Sequence, residues 1–200
     1  MSAVATRTEI TPKDLLRMPE EKDFELVDGE LVERNMGAMS SWIGGQIARR
    51  LGDFAESNDL GWVWPADNGY QCFPDHPKRI RKPDASFVRY GRLPGNQLPN
   101  GYLQIAPDLV VEVISPNDLA VEVDGKVIDY LNAGVPLIWV VNPDSRVVHI
   151  HRADGSVARL KEADELSGED VLPGFLCKVS AIFPPPAPAD SPSSEDVPTA

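Results

Sequence analysis

Hydrophobic positions along the chain switch between two periods, and the switch marks the elements. Leu109, Val110, Val111, Val113 and Ile114 form a short aliphatic run bounded by Pro107 and Pro116. A run of that length and β-branched content predicts a strand buried on both faces, in the middle of a sheet. Residues 137–141, Leu-Ile-Trp-Val-Val, predict a second such strand. Between them the period lengthens to that of a helix, with Asn117 or Asp118 as the cap and an end near Ala133. Leu119, Val123, Val127 and Tyr130 mark its apolar face, Gly134 suits the left-handed position after it, and Pro136 enforces the stop. Strand, helix and strand in that order predict a parallel pair joined by a right-handed crossover. Residues 146–151 then pair back across the turn Asn142-Pro143-Asp144-Ser145.

Upstream, Thr11-Pro12-Lys13-Asp14 has the form of an N-cap followed by proline, opening a short helix through Leu15, Leu16 and Met18. Residues 24–33 alternate on either side of Asp28-Gly29, a hairpin signal because that dipeptide tolerates a type I′ turn. Trp42, Ile43, Ile47, Leu51, Phe54 and Ala55 recur at helical spacing over residues 40–56. Short strands are expected at 62–64, 69–73 and 85–88, and residues 91–106 form a Gly-, Pro- and Asn-rich loop. Residues 157–183 add a strand or two. Six prolines from Pro184 onward, with no aliphatic cluster, predict a disordered tail over 184–200. Residues 1–10 are expected to be a flexible arm, leaving one domain over 11–183.

Charge narrows the functional classes. The formal net charge is −12, and the tail contributes only Asp190, Glu195 and Asp196 to it, so the body is strongly acidic. That argues against a large nucleic-acid footprint, which needs a basic face. The basic residues do cluster once, as Lys78, Arg79, Arg81 and Lys82 just before Asp84. A solvated loop is the ordinary reading of Lys78 and Arg79; an anion-facing edge is the sharper one. Cys72 and Cys177 are too few and too distant for a zinc cluster or a disulfide framework, which sets free thiols and a reducing cytoplasm as the expectation. No apolar run is long enough to cross a bilayer and nothing resembles a signal peptide, so no membrane partner is expected.

Candidate chemistry begins with Glu112, a carboxylate inside a strand that is otherwise apolar. Ionised and buried, it needs a cation, a metal or several donors. Asp84 stands at the start of an earlier strand, 28 residues before it, close enough in sequence for a returning loop to bring the two together. Paired carboxylates repel unless a divalent ion sits between them, and hard oxygen ligands favour Mg²⁺ or Mn²⁺ over zinc. Lys126 lies on or beside the apolar face of the following helix, where it either snorkels to solvent or reaches Glu112. Glu25, Glu30 and Glu33 read as solvated hairpin residues, any one of which can serve as a further acid. His149 and His151 share a strand face as a metal pair would, although exposed edge-strand histidines are the ordinary reading.

With these residues in place the sequence resembles the PD-(D/E)xK nuclease superfamily, and within it the Uma branch of restriction-endonuclease-like domains. The resemblance rests on Phe24-Glu25-Leu26-Val27-Asp28-Gly29-Glu30-Leu31, on Lys82-Pro83-Asp84, and on residues 107–116 around Glu112. Lys126 with Tyr130, and Ala133-Gly134-Val135-Pro136 leading to Trp139, complete it. It implies an α/β fold with a restriction-endonuclease-like core, a mixed central sheet flanked by helices and an N-terminal hairpin. It implies Asp84, Glu112 and the main-chain carbonyl of Val113 as ligands for Mg²⁺ or Mn²⁺, Lys126 as the catalytic lysine, and DNA as substrate. Pro107-Asp108 only mimics the motif, because Asp108 begins the strand that carries Glu112. Four residues depart from the pattern: Ile114 stands where the superfamily lysine usually is, Ser40 and Ser41 where relatives often carry His, and Asn142 where an Asp is common. Two functions follow as expectations: a Mg²⁺-dependent endonuclease using metal-activated water, or a degenerate, non-catalytic domain serving as a binding or assembly module, for instance a homodimer. A metal-free hydrolase lacks the aromatic groove it would need.

Overall fold

The computed structural model describes residues 9–34 and 37–185. Most of the expected arm and the Pro-rich tail beyond residue 185 lie outside the described residues. Thr11 caps α1 (Pro12–Leu15), its hydroxyl accepting the Asp14 N–H while the Asp14 carboxylate takes the Thr11 N–H. The helix ends at Leu15 and tighter turns carry the chain through Met18. β1 (Phe24–Val27) and β2 (Glu30–Glu33) form the expected hairpin, with Asp28 at φ 51° and Gly29 at φ 81°, both positive as a type I′ turn requires. α2 (Ala38–Ser57) follows, then β3 (Gly61–Pro65), β4 (Ala85–Arg89) and β5 (Leu109–Val113). α3 (Ala120–Asn132) crosses to β6 (Leu137–Asn142), which turns into β7 (Val147–Arg152) and β8 (Val157–Leu160). A small antiparallel pair, β9 (Glu165–Ser167) with β10 (Leu176–Lys178), closes the chain.

The central sheet has six strands in the order β3-β4-β5-β6-β7-β8. Only β5 and β6 are parallel, as a strand–helix–strand connection demands; the other neighbours are antiparallel. Period two sorts the side chains by face. Leu109, Val111, Val113, Leu137, Trp139 and Val141 pack against Ile43, Ile47 and Leu51 of α2. Val110, Ile138 and Val140 pack against Val127 and Tyr130 of α3 on the opposite face. Glu112 has the parity of Val110, so it is delivered to the α3 side. Among the described residues no helix is long and apolar enough to cross a membrane.

Four local expectations change. Residues 69–73 form no strand; Tyr70 alone bridges Arg81 on one side and Leu103 on the other, so pairing lasts one residue. The cap of α3 is Leu119, whose N–H is taken by the Glu122 carboxylate at 3.2 Å, while Asp118 accepts the Ser115 N–H in the preceding turn. Leu119 itself is exposed rather than part of the packed face. β7 is not an edge strand, because β8 covers it, and its half-buried His149 and His151 line a separate cavity with Asp118 and Asp124. Among the described residues no three His, Cys, Asp or Glu side chains are placed to hold a metal ion.

Candidate active site

Glu112 is 6% exposed and both its oxygens are engaged. The Lys126 Nζ lies 3.0 Å from Oε2, and the Tyr130 hydroxyl donates to Oε1 at 2.8 Å. Lys126 and Tyr130 are four apart on α3, so one helix face presents both donors to one carboxylate. That settles Lys126: it is not snorkelling. Its ammonium also approaches Glu25 Oε1 at 3.7 Å. Burial opposes the charge on Lys126, but Glu112, Glu25 and Asp84 together raise its pKa above the ordinary lysine value. Lys126 is therefore a protonated cation at neutral pH.

Asp84 immediately precedes β4, where α2 crosses close above it. A Cβ added at Gly44 would stand 3.4 Å from the Asp84 Cβ. Its own N–H donates to the Val111 carbonyl at 2.9 Å, and its Oδ2 accepts the Val113 N–H at 2.7 Å. Peptide groups along a strand alternate in direction, so the Val113 carbonyl opens toward the same side as that N–H. Burial first, and then the charge on Glu112, push the Asp84 carboxyl up to about 7, against the opposing pull of the Val113 N–H, Lys126 and Arg34. Asp84 and Glu112 thus meet at neighbouring strand ends and repel each other. They line one cavity of 340 Å³ with Val113, Lys126, Glu25 and Arg34, walled by the β1–β2 hairpin and α3.

Glu25 is 1% exposed, not solvated as its place in the hairpin suggests. It accepts from Arg81 Nη1 at 2.9 Å and from the Lys82 N–H at 2.8 Å. Burial works against its ionisation, but Lys126 and Arg81 hold its pKa below the ordinary glutamate value. Glu30 and Glu33 remain exposed. Apart from Lys78, the basic cluster is neither the solvated loop nor the anion-facing edge expected of it. Lys78 is exposed and pairs with Glu9, but Arg79 (7% exposed) joins Asp129 and Asp28, Arg81 (8%) joins Asp129 and Glu25, and Lys82 (1%) joins Glu21. Burying a guanidinium is costly unless acceptors meet it, and for Arg79 and Arg81 the protein supplies carboxylates. Asp108 stands apart from the site, holding the Arg89 N–H and Arg92 at 2.9 Å each.

Of the residues singled out from the sequence, Asp84, Glu112, Val113 and Lys126 converge, and Glu25 joins them. Tyr130, read as an apolar-face residue and as part of the family resemblance but given no role at the site, and Arg34, not singled out, are the additions. Ile114, where the resemblance implies a lysine, lines the cavity, and the ammonium found there belongs to Lys126 of α3. Ser40, where a histidine is common, is buried with its hydroxyl bonded to the Gly37 N–H at 3.1 Å and to Ser115 at 2.9 Å, so it ties the start of α2 to the end of β5. Cys72 and Cys177 are free and half-buried.

Comparison with known proteins bears on the family and the fold. No curated protein matches the chain. A solved structure described as a putative nuclease belonging to DUF820, from Anabaena variabilis ATCC 29413, matches with a TM-score of 0.74 at 19% identity, covering 87% of this chain and 97% of that one. At that identity the likeness is one of fold. The sequence model of the Uma2 family, described as "Putative restriction endonuclease", matches residues 12–180. With most of its length matched, from the α1 cap to beyond β10, the chain belongs to the Uma2 family, and its fold is that of the restriction-endonuclease-like nucleases.

Proposed function

We propose that the chain is a divalent-metal-dependent endonuclease that hydrolyses phosphodiester bonds of DNA. The observation that carries this reading is the meeting of Asp84 and Glu112 in one cavity, with a protonated Lys126 held 3.0 Å from Glu112. The donor set fits a hard cation: carboxylate oxygens and a carbonyl, with no sulfur or imidazole nitrogen among the described residues that line the cavity. Asp84, Glu112 and the Val113 carbonyl would hold Mg²⁺ or Mn²⁺. Such an ion, when bound, lowers the pKa of a coordinated water and offsets charge on phosphoryl oxygens.

The chain's own residues divide the remaining work. Lys126, protonated at neutral pH, is unsuited to be a general base; it orients the attacking water and offsets negative charge as the phosphorane develops. Tyr130 fixes the rotation of the Glu112 carboxylate. Glu25, itself held by Arg81 and the Lys82 N–H, keeps Lys126 from swinging away from the cavity. With Mg²⁺ or Mn²⁺ supplied, the wild type should cleave DNA oligonucleotides, and E112Q should not while melting like the wild type. A wild type that binds metal but cleaves no nucleic acid would overturn the proposal.

A second reading, a degenerate binding or assembly module, is favoured by one observation. Glu33, Asp118 and Glu122 line the cavity, and most of the basic cluster that could grip a phosphate backbone is turned inward. The two readings separate on pH. Asp84 must lose its proton to take a cation, so Mn²⁺ affinity should rise about tenfold per pH unit below about 7 and level off above it. Calorimetry in buffers of different ionisation heat should find up to one proton released per ion at pH 6. The metal-free protein carries the opposite sign. Its folded Asp84 binds a proton more tightly than the unfolded one, so this group's contribution to stability falls as pH rises from about 4 to about 7.

A further inference from the structure

Two cavities meet at Arg34. One is the active-site cavity of 340 Å³; the other, of 530 Å³, is lined by the acids Glu20, Asp23 and Glu33 and by Gly37, Ser115 and Asn117 among others, and Arg34 belongs to both walls. Its side chain is 6% exposed. The guanidinium donates to two main-chain carbonyls, Lys22 through Nη1 and Lys82 through Nη2, each at 3.3 Å. Those contacts aim the group without neutralising it. Its Nη2 lies 3.7 Å from Asp84 Oδ1, too long for a hydrogen bond. The other cations of the site are differently placed: Lys126 is shared by Glu112 and Glu25, and Arg81 by Glu25 and Asp129. Among the described residues, Arg34 therefore carries the least compensated positive charge on this wall.

A buried guanidinium with little carboxylate compensation is costly until an anion arrives, and its planar fork matches phosphate oxygens two at a time. We propose that Arg34 grips a phosphate of the substrate at the junction of the two cavities. Arg34 approaches Asp84 and Lys126 approaches Glu112, so two cations bracket the acid pair. A nucleic-acid strand passing from one cavity to the other lays a phosphodiester against Arg34, with a nucleoside on either side. This deepens the nuclease reading and rests on it for the identity of the anion, but it makes Arg34 a substrate-contacting residue that the metal site alone does not require.

Inorganic phosphate and the dinucleotide thymidylyl-thymidine, titrated into full-length wild type, R34Q and R34K with and without Mn²⁺, test the assignment. R34Q should bind both probes roughly tenfold more weakly or worse, the loss of one charge-assisted pair, and R34K should fall between. Mn²⁺ itself should bind R34Q as tightly as the wild type or more tightly, because a positive charge beside Asp84 has gone; a merely structural role would weaken it. If R34Q does not fold, R34K alone decides, since it keeps the charge and loses the fork. Equal phosphate affinity in wild type and variants, or no phosphate binding by the wild type, overturns the assignment even where Mn²⁺ binds. Phosphate binding that depends on Arg34 in a protein that takes no Mn²⁺ sustains it and overturns the metal-dependent reading instead.

Discussion

Arg81→Met is expected to cost about 3–5 kcal/mol of stability at neutral pH, the range seen when one partner of a buried ion pair is removed. Arg81 donates through Nε and Nη2 to Asp129 Oδ2 at 2.8 and 2.6 Å, and through Nη1 to Glu25 Oε2 at 2.9 Å. It is the joint between α3, the hairpin and the segment before β4. Methionine fills much of the volume but leaves Asp129 with Arg79 and Glu25 with Lys126, each short of a cation. With Arg81 gone, Glu25 loses one of the two charges that hold its carboxyl below the ordinary glutamate value, so its ionised form is less well supported in the folded variant. The variant's deficit should grow as pH rises from about 4 to 7 and shrink on acidification. Urea unfolding of both proteins at pH 5 and pH 7.5 measures this. A loss under about 1 kcal/mol at pH 7.5 would mean the pair is worth no more than a surface contact.

Lys126→Met should slow cleavage about 10²–10³-fold, the loss typical of removing one preorganised group that meets developing charge. Folding should survive, because the Lys126 side chain lies at the cavity edge and is a quarter exposed. Glu112 keeps the Tyr130 hydroxyl and Glu25 keeps Arg81. Mn²⁺ affinity should hold or increase, since a competing cation has left Glu112. Single-turnover rates in saturating Mn²⁺ separate this from a binding defect. A variant within threefold of the wild type would remove Lys126 from the chemistry and leave it as the counter-ion of Glu112.

The contrast between Lys126 and Arg81 shows where the sequence could and could not be read. Glu112, Lys126 and Asp84 were legible because each sits at a position that periodicity had already oriented: an acid within a buried strand, a lysine near an apolar helix face, an acid at a strand start. β5, β6, α2, α3 and the hairpin were legible for the same reason. The inward turn of Arg79, Arg81 and Lys82 was not. Their partners lie far along the chain, Arg81 being 48 residues from Asp129 and 56 from Glu25, and no local period links them. Glu25 was obscured by its hairpin, which alternates as a solvated one does. Leu26 pairs through its backbone with Ile80, and that bridge buries the neighbouring Glu25 beside Arg81. Tyr130 was readable as an apolar-face residue and is one, but nothing short of the fold places its hydroxyl 2.8 Å from Glu112.

The central claim is that Asp84 and Glu112 form a divalent-cation site. Calorimetric titration of Mn²⁺ and Mg²⁺ into wild type and Asp84→Ala at pH 7.5 tests it most directly. Saturable binding by the wild type, lost in the variant while its thermal melt stays intact, is the predicted result. Absence of binding by a folded wild type, or equal binding by Asp84→Ala, would contradict it and leave Glu112 as the buried counter-ion of Lys126.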